Sequence, residues 1–353
     1  MKVVDLFCGC GGLSLGFEQA GAKILLGIDH NEAALKSFAF NHSGSQTICG
    51  DIESITLDLI DQKIGNQKVD VVIGGPPCQG LSLSGPRRYD DPRNRLFRSF
   101  VKITKHLNPN VIVLENVPGI LSLFKGKIKE EIIKEFQSIG YNVSYKILNA
   151  AEFGIPQKRK RAIFIGTKNN IDISFPKPIY TKEEEFISSS DAVSDLFALN
   201  DTDCQESMYY KSNPLTEYQK RMRNGVQDGE LHNHLITKHT QAVKDTISLV
   251  PEGGNYKDLP EELQSTRKFN VAWTRYHSKK PTPTIDTGHR HHFHYKYNRV
   301  PTVRENARFQ SFPDSFIFLG NKTEQYKQVG NAVPPLLGFY ISKEVMKCLS
   351  KNT

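Results

Sequence analysis

The sequence predicts an α/β protein: a doubly wound, mostly parallel sheet joined to a second, smaller, irregular domain. Three observations predict it. Strand-sized apolar runs alternate with helix-sized segments through the first half of the chain. Gly9, Asp29, Asp51, Cys78 and Glu115 all fall at or just after the carboxyl ends of those runs, where such sheets bind ligands. After about Pro176 the periodicity fades, polar residues dominate, and eight of the eleven histidines appear before Val303. The domain boundaries are drawn at 1–176, 177–321 and 322–353, the last segment returning to the first domain.

Val3 to Phe7 reads as a buried strand. The turn Gly9-Cys10-Gly11-Gly12 follows, then a short helix from Leu13 to Ala20 that Gly21 can end. Ile24 to Ile28 is the next strand and Asn31 to Asn41 an amphipathic helix. Val69 to Gly74, Val111 to Glu115 and Arg161 to Gly166 are further strands. Lys127 to Ile139 is a helix with Gly140 placed to end it, and Leu336 to Leu349 is a C-terminal helix.

Of 353 residues, 38% are hydrophobic and 24% charged, the balance of a soluble globular protein. No run approaches the roughly 18 apolar residues of a membrane span. The first residues enter a strand without the apolar stretch of a signal peptide, so a cytoplasmic location and no membrane partner are expected. The net charge of +8 is compatible with a polyanionic partner, and residues 205–300 hold 15 Lys plus Arg against 10 Asp plus Glu. Cys8, Cys10, Cys49, Cys78, Cys204 and Cys348 form no C-x-x-C pair, which argues against a zinc ribbon and for reduced thiols.

Four motifs carry chemistry. The Asp5-to-Gly12 turn lets backbone approach a ligand, and Asp29, about twenty residues on, is placed to bind ribose hydroxyls. That pairing favours a nucleoside cofactor without separating NAD from S-adenosylmethionine; a tight turn with no ligand is the plainer alternative. In Gly74-Gly75-Pro76-Pro77-Cys78-Gln79-Gly80, two prolines fix the backbone before a cysteine that is a candidate nucleophile. An inert buried cysteine is the alternative, opposed by the polar Gln79, Ser82 and Ser84. Glu115-Asn116-Val117 places a carboxyl group at a strand end, where it can donate a proton to a heterocycle, or else contact a ribose or cap a helix. Gln157-Lys158-Arg159-Lys160-Arg161 is either a solvated basic run or, because a strand follows it, a source of inward-facing arginines, with Arg159 able to hydrogen-bond a base oxygen.

This ordered set resembles the cytosine-5 DNA methyltransferase family, of the bacterial restriction–modification type. Two later segments extend the resemblance, Arg304-Glu305-Asn306-Ala307-Arg308-Phe309-Gln310-Ser311-Phe312-Pro313 and Gln328-Val329-Gly330-Asn331-Ala332-Val333-Pro334. It covers most of residues 1–167 and 301–340. The resemblance implies the S-adenosylmethionine-dependent methyltransferase fold and a flipped cytosine in a specific double-stranded DNA sequence. It implies Cys78 as the nucleophile on carbon 6, Glu115 on the exocyclic amine and N3, Arg159 on the O2 side, and Arg161 in support. For S-adenosyl-L-methionine it implies Phe7 against adenine, Gly9, Gly11 and Gly12 beside the amino-acid part, Asp29 on the ribose, and Asp51-Ile52 at the adenine edge. Leu96 and Asn331 match further pocket positions. His30 departs from the family, where an aromatic residue is common. Gly80 to Arg95 matches a loop that closes over DNA, with Ser82, Ser84 and Arg93 as candidate DNA contacts.

By the same resemblance, 177–321 is a target-recognition domain. Thr284, in Pro283-Thr284-Ile285, and Arg290, in Gly288-His289-Arg290-His291-His292-Phe293-His294, are candidate DNA contacts, and the donors of the latter run suit guanine edges or phosphates. A metal site is the competing reading of the histidines; no acid or cysteine completes a ligand set, so no metal is expected. A monomer is expected, with a cognate restriction endonuclease acting on the same DNA site as a functional partner. A tRNA cytosine-5 methyltransferase on the same fold is the alternative. Its members carry Cys-Phe-Thr in the target region, whereas here Cys204 is followed by Gln205. A nicotinamide dehydrogenase is disfavoured because Ser14 stands where G-x-G-x-x-G needs its third glycine.

Overall fold

The structure, a computed structural model, describes residues 1–77, 96–168, 171–172, 174–197, 199, 207–264, 273–288 and 291–350. Cys78, Ser82, Ser84, Arg93 and Arg290 lie outside the described residues. In chain order the strands are β1 (Lys2–Leu6), β2 (Lys23–Asp29), β3 (Gln46–Cys49), β4 (Val71–Gly74), β5 (Val111–Asn116), β6 (Asn142–Asn149), β7 (Gln157–Lys158) and β8 (Lys160–Thr167). They continue as β9 (Ser207–Tyr209), β10 (Glu230–His232), β11 (Thr274–Arg275), β12 (Thr282–Pro283) and β13 (His292–Phe293). The α-helices are α1 (Gly12–Gln19), α2 (Glu32–Asn41), α3 (Leu57–Ile64), α4 (Leu96–Leu107), α5 (Lys127–Ser138) and α6 (Ser189–Val193). They continue as α7 (Glu217–Arg223), α8 (Gln241–Ser248), α9 (Glu261–Gln264), α10 (Val303–Phe309), α11 (Lys322–Asn331) and α12 (Pro335–Ser350).

The chain forms two compact units. The first holds Met1–Asn149, Lys160–Pro178 and Val333–Thr353; the second holds Ala150–Arg159 and Ile179–Ala332. The first unit is built on a seven-stranded sheet of order β3-β2-β1-β4-β5-β8-β6. β3, β2, β1, β4 and β5 run parallel, and β8 is antiparallel to both β5 and β6. The central strands are continuous apolar runs, with Val3, Val4, Val71, Val72, Val111 and Ile112 all at 0% exposure. That is the pattern of strands covered on both faces.

The two strands of this sheet that the sequence does not announce, β3 and β6, are its edges. β6 exposes most of its residues, so it offers neither an apolar run nor a clean alternation. Helix ends follow local chemistry. The Asn31 side chain accepts the Ala34 N–H at 2.9 Å to cap α2. Gly140, at φ +89°, follows α5 in the left-handed conformation. α1 crosses α12 through small residues: a Cβ on Gly16 would meet the Pro335 carbonyl oxygen at 2.2 Å.

In the second unit the paired strands are short: β9 with β10, β11 with β13, and β7 with β12. Beside an apolar cluster of Ile247, Val250, Leu259, Trp273, Phe293 and Val300, buried polar groups tie it together. Arg308 binds Asp314 and Asp195, and Arg299 grips Glu305 with two hydrogen bonds of 2.7 and 2.8 Å. The Glu305 carboxyl is held well below its ordinary range: burial is the largest single effect and raises it, but the Arg299 charge and hydrogen bonds together with His294 and His234 outweigh it.

Candidate active site

β1 delivers the glycine turn. Phe7 sits at φ +61°, and Gly9 and Gly11 also have positive φ, so the backbone bends sharply before α1 begins at Gly12. The Gly9 N–H donates to Asp29 Oδ2 at 2.9 Å, and the Asn31 N–H to Asp29 Oδ1 at 2.8 Å. The carboxylate at the end of β2 thus ties the turn to the start of α2. Each of its oxygens keeps a second lone pair. A Cβ at Gly9 would meet nothing within 4 Å, so the turn presents bare backbone to open space. Phe7 is half-buried, Ile52 is buried and Asp51 is exposed just after β3. A nucleoside-bearing cofactor fits this set: open space against glycine backbone, a carboxylate with acceptor capacity, and an aromatic face. Leu96 is half-buried at the start of α4 in the same unit. Asn331 ends α11 in the second unit and is exposed. His30 is exposed, with Nδ1 3.3 Å from Asp29 Oδ1.

Asp5, which opens this motif, carries no assigned role from the sequence. Asp5 is buried and accepts the Ser14 hydroxyl at 2.6 Å. Burial, opposed by that hydrogen bond and helped by Asp29, raises its pKa to about 8. An acid inside an apolar strand was the available signal. Burial also raises the Cys8 thiol, and raises Cys10 to about 12, so neither is a ready nucleophile.

β4, β5 and β8 assemble the second cluster. Glu115 near the end of β5 pairs with Arg161 at the start of β8, Oε1 to Nε 2.8 Å, each side chain 12% exposed. The antiparallel register produces this, since Glu115 faces Ile163, two residues along from Arg161. Burial lowers the Arg161 pKa and the Glu115 charge opposes that effect. The neighbouring Asn116 is buried and its Nδ2 donates to the Pro76 carbonyl at 2.8 Å. A Cβ on Gly75 would stand 3.0 Å from Glu115 Oε2. Glu115 and Asn116 therefore lie against the Gly75-Pro76 segment, two residues before Cys78 in sequence. The role of Asn116 as an anchor escaped the sequence reading, since only tertiary structure joins β5 to that segment.

Arg159 belongs to the second unit and Arg161 to the first. Arg159 is 2% exposed, and its Nη2 donates to the carbonyls of Gly330 at 3.2 Å and Ala332 at 3.0 Å. Gln157 beside it donates to Gln310 Oε1 at 2.8 Å and accepts the Ile285 N–H at 3.1 Å. Gln310 in turn donates to the Val329 carbonyl at 2.8 Å. The two amides thus bind four chain segments together. Thr284 is exposed, its hydroxyl donating to the Lys158 carbonyl at 3.0 Å.

The histidine run corrects one expectation. His292 and His294 are buried, at 8% and 2% exposure, instead of facing a nucleic acid. Desolvation lowers both pKa values, that of His294 to about 3, so neither is a cation at neutral pH. Among the described residues no group of three or more His, Cys, Asp and Glu could hold a metal ion. No helix there is long and apolar enough to cross a membrane.

The model of the family described as C-5 cytosine-specific DNA methylase matches residues 1–347. The chain is 39% identical over 350 residues to the Type II methyltransferase M1.HphI of Haemophilus parahaemolyticus, covering 98% of this chain and 87% of that protein. It is 38% identical over 370 residues to the Type II methyltransferase M.DdeI of Desulfomicrobium norvegicum, covering 98% and 88%. Among solved structures, it resembles an Escherichia coli prophage-encoded chain assigned as a DNA modification methyltransferase, with TM-score 0.83, 26% identity and 99% coverage of each. With its mostly parallel seven-stranded sheet and this match along nearly its whole length, the chain belongs to the C-5 cytosine-specific DNA methylase family, enzymes that methylate carbon 5 of cytosine in DNA.

Proposed function

We propose that this chain is the modification enzyme of a restriction–modification system, methylating one cytosine within a specific double-stranded sequence. The observation that carries the catalytic assignment is the Arg161–Glu115 pair, with Asn116 holding the Pro76 carbonyl just ahead of Cys78. The names of the relatives as Type II methyltransferases support the restriction–modification setting. A cytoplasmic monomer is the working state, with a cognate endonuclease that acts on the same DNA site and need not touch this chain.

Phe7, Gly9, Gly11, Gly12, Asp29, Asp51, Ile52, Leu96 and Asn331 are the proposed contacts to S-adenosyl-L-methionine. That cofactor supplies an electrophilic methyl group carried on a sulfonium. The Gly9 turn contributes backbone at close range, and Asp29 contributes acceptors for ribose hydroxyls. The cytosine leaves the duplex, at roughly a few kcal/mol in lost pairing and stacking. The Cys78 thiolate forms a bond to carbon 6, and the 5,6 double-bond electrons become available at carbon 5. Glu115 holds the exocyclic amine and a proton at N3, which draws charge from the ring; Arg161 keeps that carboxyl aimed. Arg159 engages the O2 side. Carbon 5 would take the methyl group as the methyl–sulfur bond of the sulfonium breaks and a neutral thioether leaves; a base would then remove the carbon-5 proton, and the bond from carbon 6 to Cys78 would break to restore the double bond. Residues 177–321 are the target-recognition domain. Thr284 and Arg290 are its proposed DNA contacts, and Ser82, Ser84 and Arg93 are those of the segment before α4.

Cys78→Ser tests the assignment. The expected result is loss of methyl transfer to duplex DNA with specific DNA binding retained. Methyl incorporation into tRNA alone would refute the DNA reading.

A further inference from the structure

The second unit holds a small cavity that the catalytic reading does not use. Its volume is about 10 Å³, and Tyr276, Asp286, His292, Asn306 and Tyr326 are among the residues lining it. Three of these bring buried polar atoms that have no hydrogen-bond partner among the described residues: the Tyr276 hydroxyl, His292 Nδ1 and Asn306 Oδ1. The residues are 1%, 8% and 6% exposed. Buried polar atoms are ordinarily paired, so three of them on residues that line one cavity mark a place for a polar guest. The Tyr276 and His292 ring centroids stand 5.5 Å apart.

The chemistry of the three atoms selects the guest. Asn306 Oδ1 only accepts. Burial keeps the His292 ring neutral, and Nδ1 then accepts in the tautomer whose proton is on Nε2. The Tyr276 hydroxyl donates, since burial keeps it protonated. Two acceptors and one donor match the two protons and one lone pair of a single water. A volume of about 10–15 Å³ admits one water.

We propose that this cavity is a built site for one water molecule, held by Tyr276, His292 and Asn306, and that this bridge helps to hold the backbone that presents Thr284 to DNA. The segment is otherwise pinned at its start. Thr284 donates to Lys158, the Ile285 N–H to Gln157, and a Cβ on Gly330 would meet the Asp286 carbonyl oxygen at 2.2 Å. The water adds a fixed point at His292, against the helix carrying Asn306. The effect on specificity rests on the target-recognition reading above; the water site does not.

Two arms test this. In high-resolution crystals of the full chain grown with rubidium chloride, a single peak within hydrogen-bond distance of all three atoms, without anomalous signal, is expected. A dry cavity, or a rubidium signal marking a cation, overturns the water site. In the second arm, Tyr276→Phe and Asn306→Leu enzymes methylate unmethylated duplex DNA of mixed sequence, read by bisulfite sequencing. The ratio of the preferred motif to its single-mismatch variants is expected to fall about tenfold, the scale of one lost base discrimination, while kcat at saturating DNA stays near wild type. An unchanged ratio in variants with wild-type thermal unfolding overturns the positioning role. A change confined to Asn306→Leu, absent from the isosteric Tyr276→Phe, also overturns it. A wild-type enzyme with no motif preference refutes the target-recognition reading instead, and the crystals still decide the water.

Discussion

Arg161 acts on the reaction through Glu115. Its guanidinium fixes one carboxylate oxygen at 2.8 Å in a mostly buried setting, so the carboxyl keeps one orientation toward the residues before Cys78. Arg161→Ala is expected to lower kcat by about 10²-fold, the usual worth of a positioned acid–base group, with cofactor affinity unchanged and partial rescue by Arg161→Lys. Unaltered turnover in single-turnover assays would sink this role. Asp5 gives a pH signature. Its folded pKa of about 8 lies above its ordinary value of 3.8, so the folded state binds the extra proton between those values. Stability from this group is therefore full below about pH 4 and lost as pH rises toward 8. Asp5→Asn is expected to flatten that decline, measured as unfolding midpoint against pH. An unchanged slope would show that Asp5 titrates normally.

At the scale of elements, the glycines of α1 and α12 matter for what they lack. Gly16 meets the Pro335 backbone so closely that a methyl group must push the helices apart, and a Cβ on Gly338 would stand 3.0 Å from the Leu13 carbonyl oxygen. Gly16→Ala is expected to cost about 1–3 kcal/mol by overpacking, read by urea unfolding. A neutral result would mean that α12 shifts without loss. The same helix pair carries the C-terminal residues back to the glycine turn at the start of α1. In the second unit, Arg304, Glu305 and Arg308 of α10 are all buried in ion pairs and carbonyl contacts. The motif that marks the family by sequence thus serves here as internal scaffold.

For the whole molecule, the +8 charge and the family assignment make DNA binding electrostatic in large part. Affinity for duplex DNA is expected to fall at least about tenfold between 50 and 200 mM salt as counterions are no longer released at a gain. A flat salt profile in equilibrium binding would argue against phosphate contacts as the main source of affinity. Bisulfite sequencing of exposed DNA then identifies the motif, which depends on side chains at base edges and not on this bulk charge.

The α/β class, the glycine turn with Asp29 and the motif order were legible in the sequence. Central parallel strands are apolar throughout, and turns need particular residues, so both leave local signals. The edge strands β3 and β6 left none, because half-exposed edges lack a fixed pattern. Sequence nominated Cys78, Glu115 and Arg161 separately. Only the antiparallel register of β5 and β8 paired Glu115 with Arg161, and only the neighbouring of β4 and β5 brought Asn116 to the Pro76 carbonyl, 40 residues away. Tertiary structure likewise turned His292 and His294 inward, where the family resemblance had offered the donors of that run to DNA. Local residue patterns determine which elements form; which faces they bury, and which distant groups meet, is decided by how strands register and helices pack.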